Sequence, residues 1–143
     1  MPEQYDVAAW RHLATAGKLF SSSDFDDAGY HYGVCGENIL KAALLNAGLK
    51  SHLEPLKKKD PMWAHLPKIK NLVIEAQAVI VAHAAGRLAA PLASTISKAN
   101  FLNLFDGWTI DIRYADTAVC PVSSPIAQQW KDDAEFLAWD LLI

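Results

Sequence analysis

A chain of 143 residues, 52% hydrophobic and 20% charged, is long enough to bury one self-sufficient core and too apolar to be disordered. Its net charge of −3 excludes a general binder of polyanions, so any nucleic-acid contact has to come from a local basic patch. Two cysteines, Cys35 and Cys120, share no CxxC spacing and read as reduced thiols of a cytoplasmic protein.

The opening MPEQYDVAAW lacks the basic start and apolar run of a signal peptide. No apolar stretch reaches the roughly 18 residues of a membrane span. A first helix follows, with Asp6 as its expected cap and Val7, Trp10, Ala14 and Gly17 as its expected inner face. The run Ser21–Asp24 ends it, and Ser23 followed by Asp26 resembles a capping signal for the next helix. Asp24, Asp26 and Asp27 then sit where a helix dipole favours carboxylates.

The second helix, residues 24–47, is the clearest element. Asn46-Ala47-Gly48 stops it, and its core stripe is Ala28, Tyr32, Cys35, Ile39, Ala43 and Ala47. Gly29, Gly33 and Gly36 lie inside it, each about 1 kcal/mol poorer than alanine in a helix. Three in eight positions predict a surface that another helix approaches closely. On the same element Glu37 precedes Lys41 by four residues, the favourable order for a helical ion pair, and the glycines make room for it to be partly buried. His31 and Cys35 have a spacing that two metal ligands could share, but no third ligand stands at a fixed spacing from them, so no metal site is expected.

Residues 50–61 read as a loop. Between Lys50 and Lys70 six lysines face only Glu54 and Asp60, a local net charge of +4 that leaves −7 for the rest of the chain. This asymmetry is the electrostatic hint of a polyanion partner.

A third helix is expected from Leu66, with Pro67 in its first turn and Leu66, Ile69, Val73, Ala76, Ile80 and His83 on one stripe, His83 as a packed core histidine. Gly86 ends or kinks it. A fourth helix covers residues 90–105, with Leu92, Ile96, Ala99 and Asn103 along one side and Phe101, Leu104 and Phe105 widening the apolar surface. Residues 106–124 are irregular. Ser124-Pro125 opens the last helix, whose face is Ile126, Trp130, Ala134, Leu137 and Leu141. The sum is one all-α domain over residues 1–143: an antiparallel four-helix up-and-down bundle with an additional short helix and an irregular connector.

No GxSxG, phosphate loop or GxGxxG is present, and no cofactor is implied. Several weaker pieces occur in order: DFDDAGYHYGVCGENILKAALLNAG, then WAHLPKI, then GWTIDIRYAD, then a final helix. Their order resembles the HEPN superfamily of small helical domains. Gly36, Glu37, Leu40, Lys41 and Ala42 match the family's second-helix motif. His65, Leu66 and Ile69 loosely match its histidine-x-leucine element, and Trp108, Arg113 and Tyr114 its tryptophan and arginine-tyrosine pair.

The resemblance implies a helical bundle, commonly a homodimer, in a toxin–antitoxin, abortive-infection or other defence setting, or beside a minimal nucleotidyltransferase. Ribonuclease members carry arginine, four to six residues, then histidine. This chain departs from that pattern, because no histidine follows Arg87 or Arg113 and Arg11 precedes His12 directly.

The leading expectation is therefore a non-nuclease protein that binds a nucleotide, an RNA or a nucleotidyltransferase, with Lys41 and Arg113 as its binding residues. The alternatives are an RNA-cleaving enzyme with a rearranged site, using Glu37, His65, Arg113 and Tyr114, and a plain helical interaction module. Arg113 is expected to fold back onto the bundle and pair with Glu37, since an isolated buried charge is costly.

Overall fold

A computed structural model of the chain describes residues 4–53, 65–114 and 122–142. All regular structure among these residues is helical. The helices are α1 (Tyr5–Ser21), α2 (Phe25–Asn46), α3 (Lys50–Leu53), α4 (Leu66–Glu75), α5 (Gln77–His83), α6 (Ala89–Ile96) and α7 (Ser124–Leu141). Two 3-10 turns, Phe101–Asn103 and Ile110–Tyr114, punctuate the stretch before α7. No helix among the described residues is long and apolar enough to cross a membrane.

The spine is α2. Its expected core stripe, Ala28, Tyr32, Cys35, Ile39, Ala43 and Ala47, is buried throughout. It ends as its sequence predicts, with Gly48 taking φ +73, which a side chain would resist. α1 folds back on it as an antiparallel hairpin: Tyr5 lies under Lys41, and Phe20 touches Phe25. α7 packs on another side of α2 and runs in the same direction, since Asp26 meets Val122, Gly29 meets Trp130 and Tyr32 feels Glu135. α1 and α2 follow the expected up-and-down order, whereas α7 runs parallel to α2; the three longest helices are α1, α2 and α7.

Several expected details shift. The α1 stripe is out of phase: Val7 and Trp10 are 51% and 43% exposed, and Ala14 is exposed too. The buried residues are Ala9 and Ala16, because small side chains let α1 lie close against α2. The caps also move. Gln4 stands at the α1 N-cap, with Asp6 inside the first turn, and Asp24 at that of α2. Ser123, one residue earlier than expected, caps α7 by accepting from the Ile126 N–H. Ile126 is exposed, while the rest of the predicted α7 face is buried.

The middle rods are shorter than their patterns suggest. The third one turns at Ala76, dividing α4 from α5, yet Leu66, Ile69, Val73, Ala76 and Ile80 all stay buried. His83 is exposed rather than core; its ring stacks on His52 of α3, centres 4.2 Å apart. The fourth rod ends at Ile96, leaving Ala99 and Asn103 exposed. Residues 50–53, read as loop, form α3.

The glycine face of α2 receives aromatic rings, one from another helix, Trp130 of α7, and two from the connector, Phe105 and Trp108. A Cβ at Gly36 would stand 2.5 Å from the Phe105 ring, one at Gly29 would stand 2.9 Å from the Trp130 ring, and one at Gly33 would overlap the Trp108 indole. Burying one such aromatic gains on the order of 4 kcal/mol, against about 1 kcal/mol of helix propensity for each glycine. The trade favours the glycines.

Side chains hold the connector backbone that carries Phe105 and Trp108. Trp108 Nε1 donates to the Gly29 carbonyl at 3.0 Å, and Trp130 Nε1 to the Asp106 carbonyl at 3.1 Å. Asp133 accepts from the Phe105 N–H at 2.9 Å and from Gln129 at 2.9 Å. Phe105 sits at φ +57, a strained conformation for an aromatic residue, kept by that hydrogen bond and by the Gly36 contact. Lys70 Nζ donates to the carbonyls of Leu102, at 2.9 Å, and Leu104.

Burial lowers the Lys70 pKa, with Asp106 and Asp133 opposing. Burial raises that of Asp133 against its two hydrogen bonds. Lys70→Met keeps the stem and removes the donor, so two carbonyls that accept from Lys70 lose that bond. It should destabilise the protein by about 2–3 kcal/mol in urea unfolding.

Candidate functional site

Glu37 lies a little past the middle of α2 and points at the start of α4. Its Oε1 accepts the Leu66 N–H at 2.9 Å, and both oxygens lie 3.2–3.3 Å from His65 Nδ1. Lys41, one turn further along α2, places Nζ 4.0 Å from Oε2 and 5.8 Å from the centre of the Tyr5 ring. The carboxylate is 5% exposed and the Lys41 side chain 10%, so the pair is buried, as the spacing and the nearby glycines allowed.

The local cause lies in α4. His65 is its N-cap, extended at φ −92 and ψ 170, and makes no capping bond within its own helix. Pro67 in the first turn lacks an N–H. Glu37 supplies the missing acceptor from a different helix, where the positive end of the α4 dipole favours a carboxylate. The same placement fills the position at which a helix start would hold a phosphate oxygen.

His65 differs from its partners. Its side chain is 48% exposed. A carboxylate only accepts hydrogen bonds, so Nδ1 is the donor and carries the hydrogen, and in the neutral ring Nε2 is left as the proton acceptor. A carboxylate that fixes the tautomer and orientation of an imidazole is the arrangement used for general acid–base work.

Of the residues singled out from the sequence, Glu37, His65 and Lys41 come together. Arg113 and Tyr114 lie in the 3-10 turn Ile110–Tyr114, which packs against α2, but their side chains fall outside the described residues, and with them the expected Arg113–Glu37 pair. Residues 54–64, which hold most of the lysine-rich segment, also fall outside. His31 and Cys35 diverge. His31 turns to His12 on α1, whereas Cys35 is fully buried and its thiol pKa is pushed up to about 12. A thiol so shielded is a core group. Among the described residues no three of His, Cys, Asp and Glu are grouped to hold a metal ion.

The capping contact from Glu37 to Leu66 could not be read from spacing, because 29 residues separate the partners. The available signal was Pro67, which marks the first turn of a helix. No family model, curated protein or solved structure matches this chain.

Proposed function

We propose that the chain is a non-nuclease, HEPN-like protein that binds a nucleotide or RNA where α2 meets the start of α4. One observation carries the reading. Glu37 and His65, which the resemblance alone had connected, meet at 3.2 Å with the imidazole half-exposed. The departure from the ribonuclease spacing of arginine and histidine favours binding over cleavage. A homodimer, a nucleotidyltransferase partner and a toxin–antitoxin or defence setting belong to the same proposal and rest on the resemblance.

A second reading, RNA cleavage at a rearranged site, is favoured by the dyad itself, since an imidazole held at Nδ1 can work as a base through Nε2.

Thermal unfolding with nucleotides and short labelled RNAs, with and without Mg²⁺, distinguishes the readings. At a hundredfold excess over Kd a ligand should raise Tm by roughly 5–10 °C. His65→Ala should cut that rise by about half, as a tenfold weaker Kd requires, while leaving the unliganded Tm within a few degrees. Cleaved RNA that His65→Ala leaves intact would replace the first reading with the second. No Tm response to any of them leaves a plain helical interaction module.

A further inference from the structure

His12 on α1 and His31 on α2 meet Nδ1 to Nδ1 at 2.8 Å, with ring planes 29° apart and ring centres 5.1 Å apart. That centre-to-centre distance is what two imidazoles give when nitrogen faces nitrogen along the line joining them. The rings therefore meet edge to edge rather than face to face. One Nδ1 carries a hydrogen and donates; the other accepts. A single added proton on the pair leaves this bond intact, because an imidazolium can donate to a neutral ring. Two added protons leave two donors facing each other, and the contact cannot survive.

Each Nδ1 points in its ring plane at the other, one with its hydrogen and one with its lone pair, and among the described residues no third ligand group stands by, so the species this geometry accommodates is a proton. The charged groups that bear on the pair come from the two helices that carry it. Arg11 on α1 acts on His12, and Asp27, one turn before His31 on α2, acts on His31. Asp27 itself faces Asp24 and Asp26. The Tyr30 ring meets His31 edge-on, centres 5.2 Å apart.

Burial lowers the pKa of both rings. The His31 charge and then Arg11 lower His12 further, while Asp27 opposes the shift of His31.

We propose that the His12–His31 contact is a proton-sensitive latch between α1 and α2, closed while the two rings share one hydrogen between Nδ1 atoms and opened when both rings are charged. What it secures is the N-terminal half of α1, where Ala9 is buried and Tyr5 lies under Lys41. The sign follows from linkage. The unfolded rings take up protons near the ordinary value of 6.5, and the folded rings take them up at lower pH. The stability contributed by the neutral pair is therefore present above about 6.5 and is lost as pH falls below it. Each excluded proton changes the folded-to-unfolded ratio by up to about tenfold per pH unit.

Two measurements test this on the unaltered chain and one variant. Imidazole ¹⁵N NMR should show His12 and His31 titrating as a coupled pair below 6.5. Amide exchange, corrected for intrinsic rate, should show α1 residues 8–13 losing at least tenfold more protection than α7 between pH 7 and pH 5. In urea unfolding, His12→Asn/His31→Asn should flatten the pH dependence between pH 7 and 5.5 by about tenfold in that ratio. Independent titration of the two rings at 6.5, or an unchanged pH dependence in the double variant, overturns the latch.

Discussion

Gly33→Ala should destabilise the protein by about 3 kcal/mol or more, although the same substitution at Gly17 should stabilise it by up to about 1 kcal/mol. Both glycines are inside long helices, and in both cases alanine is the better helix former. What differs is the space. A Cβ at Gly17 meets nothing within 4 Å, whereas one at Gly33 overlaps the Trp108 indole. Trp108 has little room to yield. It is buried, and its Nε1 donates to Gly29 one turn away on the same helix. Displacing it also disturbs Phe105, three residues back, which is held at positive φ over Gly36.

Overpacking of this kind typically costs 1–3 kcal/mol, and the orphaned indole N–H adds about 1 kcal/mol or more. Urea unfolding of the two single variants gives the comparison directly. Trp108→Leu in the Gly33→Ala background should recover part of the loss, because the smaller side chain clears the new methyl. A Gly33→Ala protein as stable as Gly17→Ala would mean that the indole does not occupy this groove.

The glycine face also shows how far the sequence could be read. Spacing identifies α2, its stop and its core stripe, because a 22-residue amphipathic helix repeats its signal six times over. Spacing also reveals that Gly29, Gly33 and Gly36 share a close approach. It does not say what approaches, since two of the three rings, Phe105 and Trp108, come from an irregular connector that leaves no period of its own. α1 was misread for a related reason. It has apolar residues on two sides, and the larger ones, Val7 and Trp10, outweigh Ala9 and Ala16 in any reading that scores hydrophobicity. Packing selects the small residues because they permit the shorter interhelical distance.

The break at Ala76 left the buried stripe intact and so was invisible to a reading of periodicity. His83, counted on that stripe, fell one turn past the end of the core and found another histidine instead. At the candidate site the types of residue were legible. The hydrogen bond of Glu37 was not, because it serves a backbone group 29 residues away, as Lys70 and Asp133 elsewhere in the fold serve groups 32 and 28 residues away.

Glu37→Ala should be the most damaging change at the site, with an expected loss of about 3–5 kcal/mol, and Glu37→Gln should lose about 1–2 kcal/mol. Alanine removes the acceptor from the Leu66 N–H, releases His65 and takes away the carboxylate beside the buried Lys41 ammonium. Glutamine keeps a carbonyl oxygen for Leu66 and has no negative charge to set against Lys41 or the α4 dipole.

These losses concern the fold, and the proposed function requires something further. His65→Ala leaves the Glu37–Leu66 cap in place, so it separates the two roles. If Glu37 only caps α4, His65→Ala leaves nucleotide or RNA affinity unchanged. If Glu37 orients His65 for a ligand, His65→Ala and Glu37→Gln should each weaken binding by about tenfold, and the double variant should be scarcely weaker than either alone, because both remove one oriented imidazole. Calorimetric titration of the four proteins, at a temperature where circular dichroism shows each one folded, measures that coupling. Additive losses would mean that Glu37 and His65 act on the ligand independently, and that Glu37 does not orient the imidazole.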